Sequence, residues 1–129
     1  MAARILVIED EPGLMESVQV MLRHSGYTVL AATNGKEGLA LAQKESPDLI
    51  VTDLMLPGMN GYEICSFLKQ DVRYQKIPIF MWSASKVDPK DAALAKECGA
   101  DDFAIKTLGP RELIGRIGAL LAKAKAVGS

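Results

Sequence analysis

Five short apolar runs punctuate the chain: RILVI at 4 to 8, TVLAA at 28 to 32, LIVT at 49 to 52, IPIFMW at 77 to 82 and FAI at 103 to 105. Each has the length of a strand and is bounded by polar or turn-forming residues. Leu49, Ile50 and Val51 follow one another without a polar interruption, the pattern of a strand buried on both faces; a strand with one wet face would alternate. Positions at helical spacing fill the intervals: Leu14, Val18, Met21 and Leu22, then Leu39 and Ala42, then Ile64, Phe67 and Leu68, then Ala92, Ala95 and Lys96, and finally Leu113, Ile117, Leu120 and Leu121. That spacing predicts a helix after every strand.

Local punctuation supports the boundaries. Asn34 with Glu37 is a capping-box-like pair, Asp88 places a cap ahead of a first-turn Pro89, and Pro110 opens the last helix in the same way. Gly26 and Gly99 suit the left-handed position at a helix end. Strands alternating with helices across short links predict a doubly wound α/β fold, a parallel sheet with helices on both faces, because each crossover is helical and right-handed. Functional groups in such a sheet gather beyond the carboxyl ends of the strands, near the point where strand order reverses.

Composition narrows the possibilities. A chain of 129 residues, 49% hydrophobic and 24% charged, fits one compact domain. We expect it over residues 1–124, with 125–129 as a tail or the start of a linker. A net charge of -1 and a pI near 5.8 offer no basic surface for direct nucleic-acid binding and little attraction to a membrane. The apolar run in MAARILVIED is too brief for a signal peptide or a span, so the expected location is cytoplasmic. Cys65 and Cys98 form no CxxC pair and are expected as two buried thiols.

The chemistry lies at the strand ends. Glu9, Asp10 and Glu11 follow the first run, Asp53 the third, Ser83 the fourth and Lys106 the fifth. If these ends converge, the acids repel one another by about 4 kcal/mol for two charges at ~4 Å and an effective dielectric of 20, so the site must hold protons or a cation. Oxygen donors without His or Cys favour Mg2+, with Mn2+ as the alternative, and Mg2+ commonly shares its shell with a phosphoryl oxygen. Asp53 then reads as a nucleophile that forms an acyl phosphate. The ion, the Ser83 hydroxyl and the Lys106 ammonium would each take one phosphoryl oxygen. In the turn LPGMNG, Pro57, Gly58 and Gly61 let backbone approach and bring a carbonyl, that of Met55, to the ion. Glu11 reads as a helix-start acid, His24 as a helix-end residue away from the cleft, Trp82 as packing beside Ser83, and the methionines as core filler.

Taken together and in order, ILVIEDE, LIVTDLMLPGMNGYEI, IPIFMWSAS and GADDFAIK resemble the receiver domain of bacterial two-component response regulators, over essentially the whole chain. The resemblance implies a five-stranded sheet in the flavodoxin-like order 2-1-3-4-5. It implies that Asp53 takes a phosphoryl group from a histidine kinase or phosphotransfer protein, with Glu9 and Asp10 binding Mg2+, Asp10 most directly. Ser83 and Phe103 would form a switch that reshapes the surface offered to a downstream protein. On this reading the domain is no conventional enzyme and catalyses only its own phosphorylation and dephosphorylation. One departure stands out: receivers usually follow the lysine with a cis proline, where this chain has Thr107. The expectation is a loop that runs trans or is held under strain. The alternative is a degenerate receiver that acts as a phosphorylation-independent scaffold. An aspartyl phosphatase would want a second acid where Met55 stands, and a flavin carrier would want a phosphate cradle where EDEPG offers acids.

Overall fold

The computed structural model describes residues 2–83 and 89–128. Strands and helices alternate along it: β1 (Arg4–Ile8), α1 (Pro12–His24), β2 (Thr28–Ala32), α2 (Gly35–Glu45), β3 (Leu49–Asp53), α3 (Gly61–Lys69), β4 (Ile79–Ser83), α4 (Pro89–Glu97), β5 (Asp102–Ile105) and α5 (Pro110–Gly128). The strands form one parallel sheet in the order β2-β1-β3-β4-β5. The chain runs outward from β1 to β2 and then back past β1 to β3, so strand order reverses at β1.

Two apolar layers clamp the sheet. Ile5, Val7, Leu49, Val51, Phe80 and Trp82 face α1 and α5, meeting Met15, Val18, Leu22, Leu113, Ile117 and Leu120. Their strand neighbours Leu6, Ile8, Ile50, Ile79 and Met81 face α2, α3 and α4. The period-two alternation of side chains thus feeds both layers, which is why β3 and β4 are buried at every position.

Several expectations shift by a residue. β4 begins at Ile79 because Pro78 lacks an N–H and offers the ladder only its carbonyl, to Ile50 N at 3.0 Å. α3 buries Gly61, Ile64, Cys65 and Leu68, a stripe that leaves Phe67 58% exposed rather than in the core. In α1 the stripe is Met15, Val18 and Leu22, with Leu14 only half-buried. α5 continues as helix to Gly128, through positions expected as a tail. Asn34 caps α2 by accepting from Glu37 N at 2.9 Å, and Asn60 with Glu63 forms a full capping box on α3. Gly26 and Gly99 follow their helices at φ +94° and +100°. Asp88, expected as the α4 cap, lies outside the described residues. Among the described residues no helix is long and apolar enough to cross a membrane.

Only one of the two thiols is fully buried. Cys65 Sγ donates to the Cys98 carbonyl at 3.3 Å, and burial pushes its pKa up to about 12; Cys98, past the end of α4, is half-buried. Both are free. An aromatic disulfide reagent at pH 8 should therefore modify at most Cys98 in the folded protein and both thiols in denaturant. Prompt labelling of Cys65 in the native state, read by peptide mass, would contradict this packing.

Candidate functional site

The reversal of strand order brings the ends of β1 and β3 side by side. Glu9 extends the β1 ladder by donating from its N–H to the Ala32 carbonyl at 3.0 Å, and Asp53 closes β3 opposite Trp82. Glu9 is wholly buried, Asp53 is 5% exposed and Asp10 faces solvent. Carboxylate oxygens of Glu9, Asp10 and Asp53 all lie within 4.8 Å of one another. Glu11 stands apart from them: its side chain accepts from Gly13 N at 3.0 Å and Leu14 N at 2.6 Å, capping α1, while its own N–H donates to Glu9 Oε2 at 3.0 Å.

Lys106 reaches this cluster from just beyond β5. Its Nζ lies 2.6 Å from Glu9 Oε1 and 2.7 Å from Asp53 Oδ2. Glu9 Oε1 meets the ammonium in poor hydrogen-bond alignment and has no other partner among the described residues. Burial raises the Glu9 pKa, and the neighbouring Asp53 charge adds to that, while the Lys106 ammonium and the Glu11 N–H pull the other way. Burial alone would favour a neutral lysine, but the bonds to Asp53 and Glu9 outweigh it and hold Lys106 charged. Among the described residues, three carboxylates against one ammonium leave two negative charges in excess when all are ionised, the complement of one divalent cation.

The segment between β3 and α3 folds back over Asp53. Met55 N donates to Asp53 Oδ1 at 3.1 Å, and Gly61 N donates to the Leu54 carbonyl at 2.9 Å. Gly58 sits at φ +77°, the left-handed region that glycine enters without strain. At Gly61 the constraint is contact: a Cβ there would stand 2.6 Å from the Asp53 carbonyl oxygen.

Glu9, Asp10, Asp53 and Lys106 thus meet as the sequence suggests. Ser83, 7% exposed, ends β4, one position beyond the residue paired with Asp53, and its carbonyl accepts from Lys106 N at 2.7 Å. Met55 turns its side chain to solvent, 71% exposed. Phe103 is half-buried against the α2–α4 layer. His24 ends α1 beside an apolar groove between α1 and α5. Among the described residues no peptide bond is cis, so Lys106–Thr107 runs trans. Sequence reasoning missed two contacts, the Glu9–Lys106 pair and the Trp82 ring, whose centroid lies 5.8 Å from Lys106 Nζ. The available signal was the parity that sets Ala104 and Lys106 on the face of β5 beside Trp82.

A doubly wound five-stranded sheet in flavodoxin-like order, with acids and a lysine at its switch point, is the architecture of response regulator receiver domains. The chain matches the response regulator receiver domain over residues 5–118 and belongs to that family of two-component signalling proteins. It is 40% identical over 123 residues to the DNA-binding response regulator MtrA of Mycolicibacterium smegmatis, covering 95% of this chain and 52% of the relative. It is 42% identical over 127 residues to the alkaline phosphatase synthesis transcriptional regulatory protein PhoP of Bacillus subtilis, covering 97% of this chain and 51% of the relative. The chain therefore spans about half the length of these curated relatives. Among solved structures it resembles the signal receiver domain of a signal transduction histidine kinase from Syntrophus aciditrophicus, with TM-score 0.87, 34% identity and coverage of 95% and 92%. A CheY-like receiver domain from Methanospirillum hungatei superposes with TM-score 0.91 at 25% identity, covering 98% of both chains.

Replacing Gly61 by Ala forces the new methyl against backbone that cannot swing aside. Gly61→Ala should lower unfolding free energy by about 1–3 kcal/mol in urea titrations. An unchanged midpoint would show that the turn yields without cost.

Proposed function

We propose that this domain takes a phosphoryl group onto Asp53 from the phosphohistidine of a histidine kinase or phosphotransfer protein, with Mg2+ held by Asp10, Glu9, Asp53 and the Met55 carbonyl. The observation that carries this reading is the meeting of three carboxylates within 4.8 Å with the Lys106 ammonium between two of them. The donor set fits a hard dication: every candidate ligand is oxygen, and Glu9 Oε1 is buried with no partner but Lys106. When bound, Mg2+ supplies positive charge against the phosphoryl oxygens.

The chain's own groups account for the rest. The Met55 N–H on Oδ1 and the ammonium on Oδ2 fix the plane of the Asp53 carboxylate. An Asp53 oxygen forms a bond to phosphorus as the N–P bond of the donor breaks; the leaving imidazole keeps the electron pair and takes a proton from solvent. Lys106 and the Ser83 hydroxyl then bind phosphoryl oxygens, and attack by water later returns the carboxylate and inorganic phosphate. Ser83 moving toward the phosphoryl group, with the Phe103 ring turning in behind it, would bias a two-state equilibrium by about 1–3 kcal/mol. The curated relatives carry names of DNA-binding and transcriptional regulators, which supports an output module as the downstream partner, the nucleic-acid contact lying outside this domain. We assign the receiver to residues 1–124 and a cytoplasmic location on the same basis.

Acetyl phosphate with Mg2+ tests the reading directly. Intact protein should gain one phosphoryl group by mass and Asp53→Asn none; no gain at saturating donor would favour the phosphorylation-independent scaffold, for which Thr107 is the motivating feature. Mg2+ at a hundredfold over its Kd should also stabilise the wild type by about 2.7 kcal/mol. Asp10→Asn should lose that increment while melting no lower than the wild type without the ion, because a repelling charge is gone. Equal Mg2+ stabilisation of both proteins would remove Asp10 from the ion site.

A further inference from the structure

We infer that Trp82 is a positioning residue for Lys106, its indole face keeping the ammonium aimed at Asp53 once the carboxylates are engaged elsewhere; the inference rests on the phosphoacceptor reading above. Trp82 lies on the α1/α5 face of β4, in register with Ala104 of β5. Lys106 follows Ala104 by two residues and returns to that face. Its backbone is fixed by the bond from its N–H to the Ser83 carbonyl at 2.7 Å, and its Nζ stands 5.8 Å from the Trp82 ring centroid, within cation–π range. The small Ala104 side chain leaves the indole room to lie under the lysine.

Packing alone does not account for a tryptophan here. Trp82 is 2% exposed, and its Nε1 has no hydrogen-bond partner among the described residues. A buried N–H without a partner is a cost that Phe, an aromatic ring without a polar atom, would avoid. What the indole offers beyond a phenyl ring is a larger and more electron-rich face, and an aliphatic chain offers none. In the resting site the ammonium is anchored by Glu9 at 2.6 Å and Asp53 at 2.7 Å. A dication shared by the same acids competes for both anchors and repels the ammonium. Among the described residues the ring is then the one attractive contact that uses neither carboxylate, and it leaves Lys106 free to meet a phosphoryl oxygen.

Trp82→Leu and Trp82→Phe, each made in the wild type and in Lys106→Met, provide the test. At saturating Mg2+ and acetyl phosphate, Trp82→Leu should slow Asp53 phosphorylation by about three- to tenfold, and Trp82→Phe, which keeps an aromatic face, should retain most of the rate. In Lys106→Met, where no ammonium remains to be held, Trp82→Leu should change the residual rate no further. Equal losses in Phe and Leu, or the same loss without the lysine, would reduce Trp82 to core packing. Because Trp82 is the sole tryptophan, its emission gives a second readout that needs neither phosphorylation nor a Trp82 variant. Mg2+ should alter emission in the wild type as the ammonium shifts over the ring, and much less in Lys106→Met; identical responses would overturn the inference. A wild type that takes no phosphoryl group would defeat the phosphoacceptor reading alone, with emission still deciding whether Trp82 and Lys106 are coupled.

Discussion

The mutual repulsion of Glu9, Asp10 and Asp53 is the constraint around which this domain is organised. No carboxylate gains by standing within 4.8 Å of two others, and Glu9 does so with no solvent exposure. Lys106 relieves part of the strain by contacting two of the acids at once. The relief is incomplete, because among the described residues one ammonium faces three acids and its approach to Glu9 Oε1 is poorly aligned. A site left short of positive charge in this way is biased toward binding a cation.

The fold sustains this arrangement by making the strand ends hard to move. β3 and β4 are buried at every position and paired over their full length, so Asp53 cannot retreat without breaking a ladder with layers on both sides. Glu9 is held from behind as well: its Oε2 accepts the Glu11 N–H, and Glu11 in turn caps α1 through Gly13 and Leu14. Glu11, read from the sequence as a helix-start acid, is indeed spent on the helix, and its N–H secures Glu9 beside the other two carboxylates. Gly61 completes the enclosure, since only the absence of a Cβ lets α3 start against the Asp53 carbonyl.

Much of this was legible in the one-dimensional pattern. The first two strands fall where the apolar runs fall, and the third gains only Asp53, whose polarity disguises it as a loop residue although it still pairs with Trp82. The clustered acids and the lysine were found because parallel topology obliges strand ends to share one edge of the sheet. The pattern was less informative wherever an answer depends on rotation about a helix axis. Phe67 and Cys65 are two positions apart, and a small change in where α3 begins exchanges the buried residue for the exposed one. Trp82 shows a different limit. Its neighbour Lys106 is distant in sequence, and their contact depends on β4–β5 register, which no single strand encodes.

That register also divides the proposed chemistry between the two faces of the sheet. Along β4, Phe80 and Trp82 face α1 and α5, whereas Ile79 and Met81 face α3 and α4. Ser83 continues the second series, and Phe103 packs in the same layer. Lysine placement is therefore tied to the side where α5 presses Leu113, Ile117 and Leu120 into the core, while the proposed switch lies on the side of α4, which buries Ala95 alone. A helix anchored so lightly, with a Tyr62 hydroxyl donating to the Asp91 carbonyl at 3.2 Å across from α3, repacks at lower cost than α5 would. Under the proposed function, this asymmetry would let one face hold Asp53 and Lys106 still while the other responds, which is what a domain needs if occupancy of Asp53 is to be read at its surface without loosening the site itself.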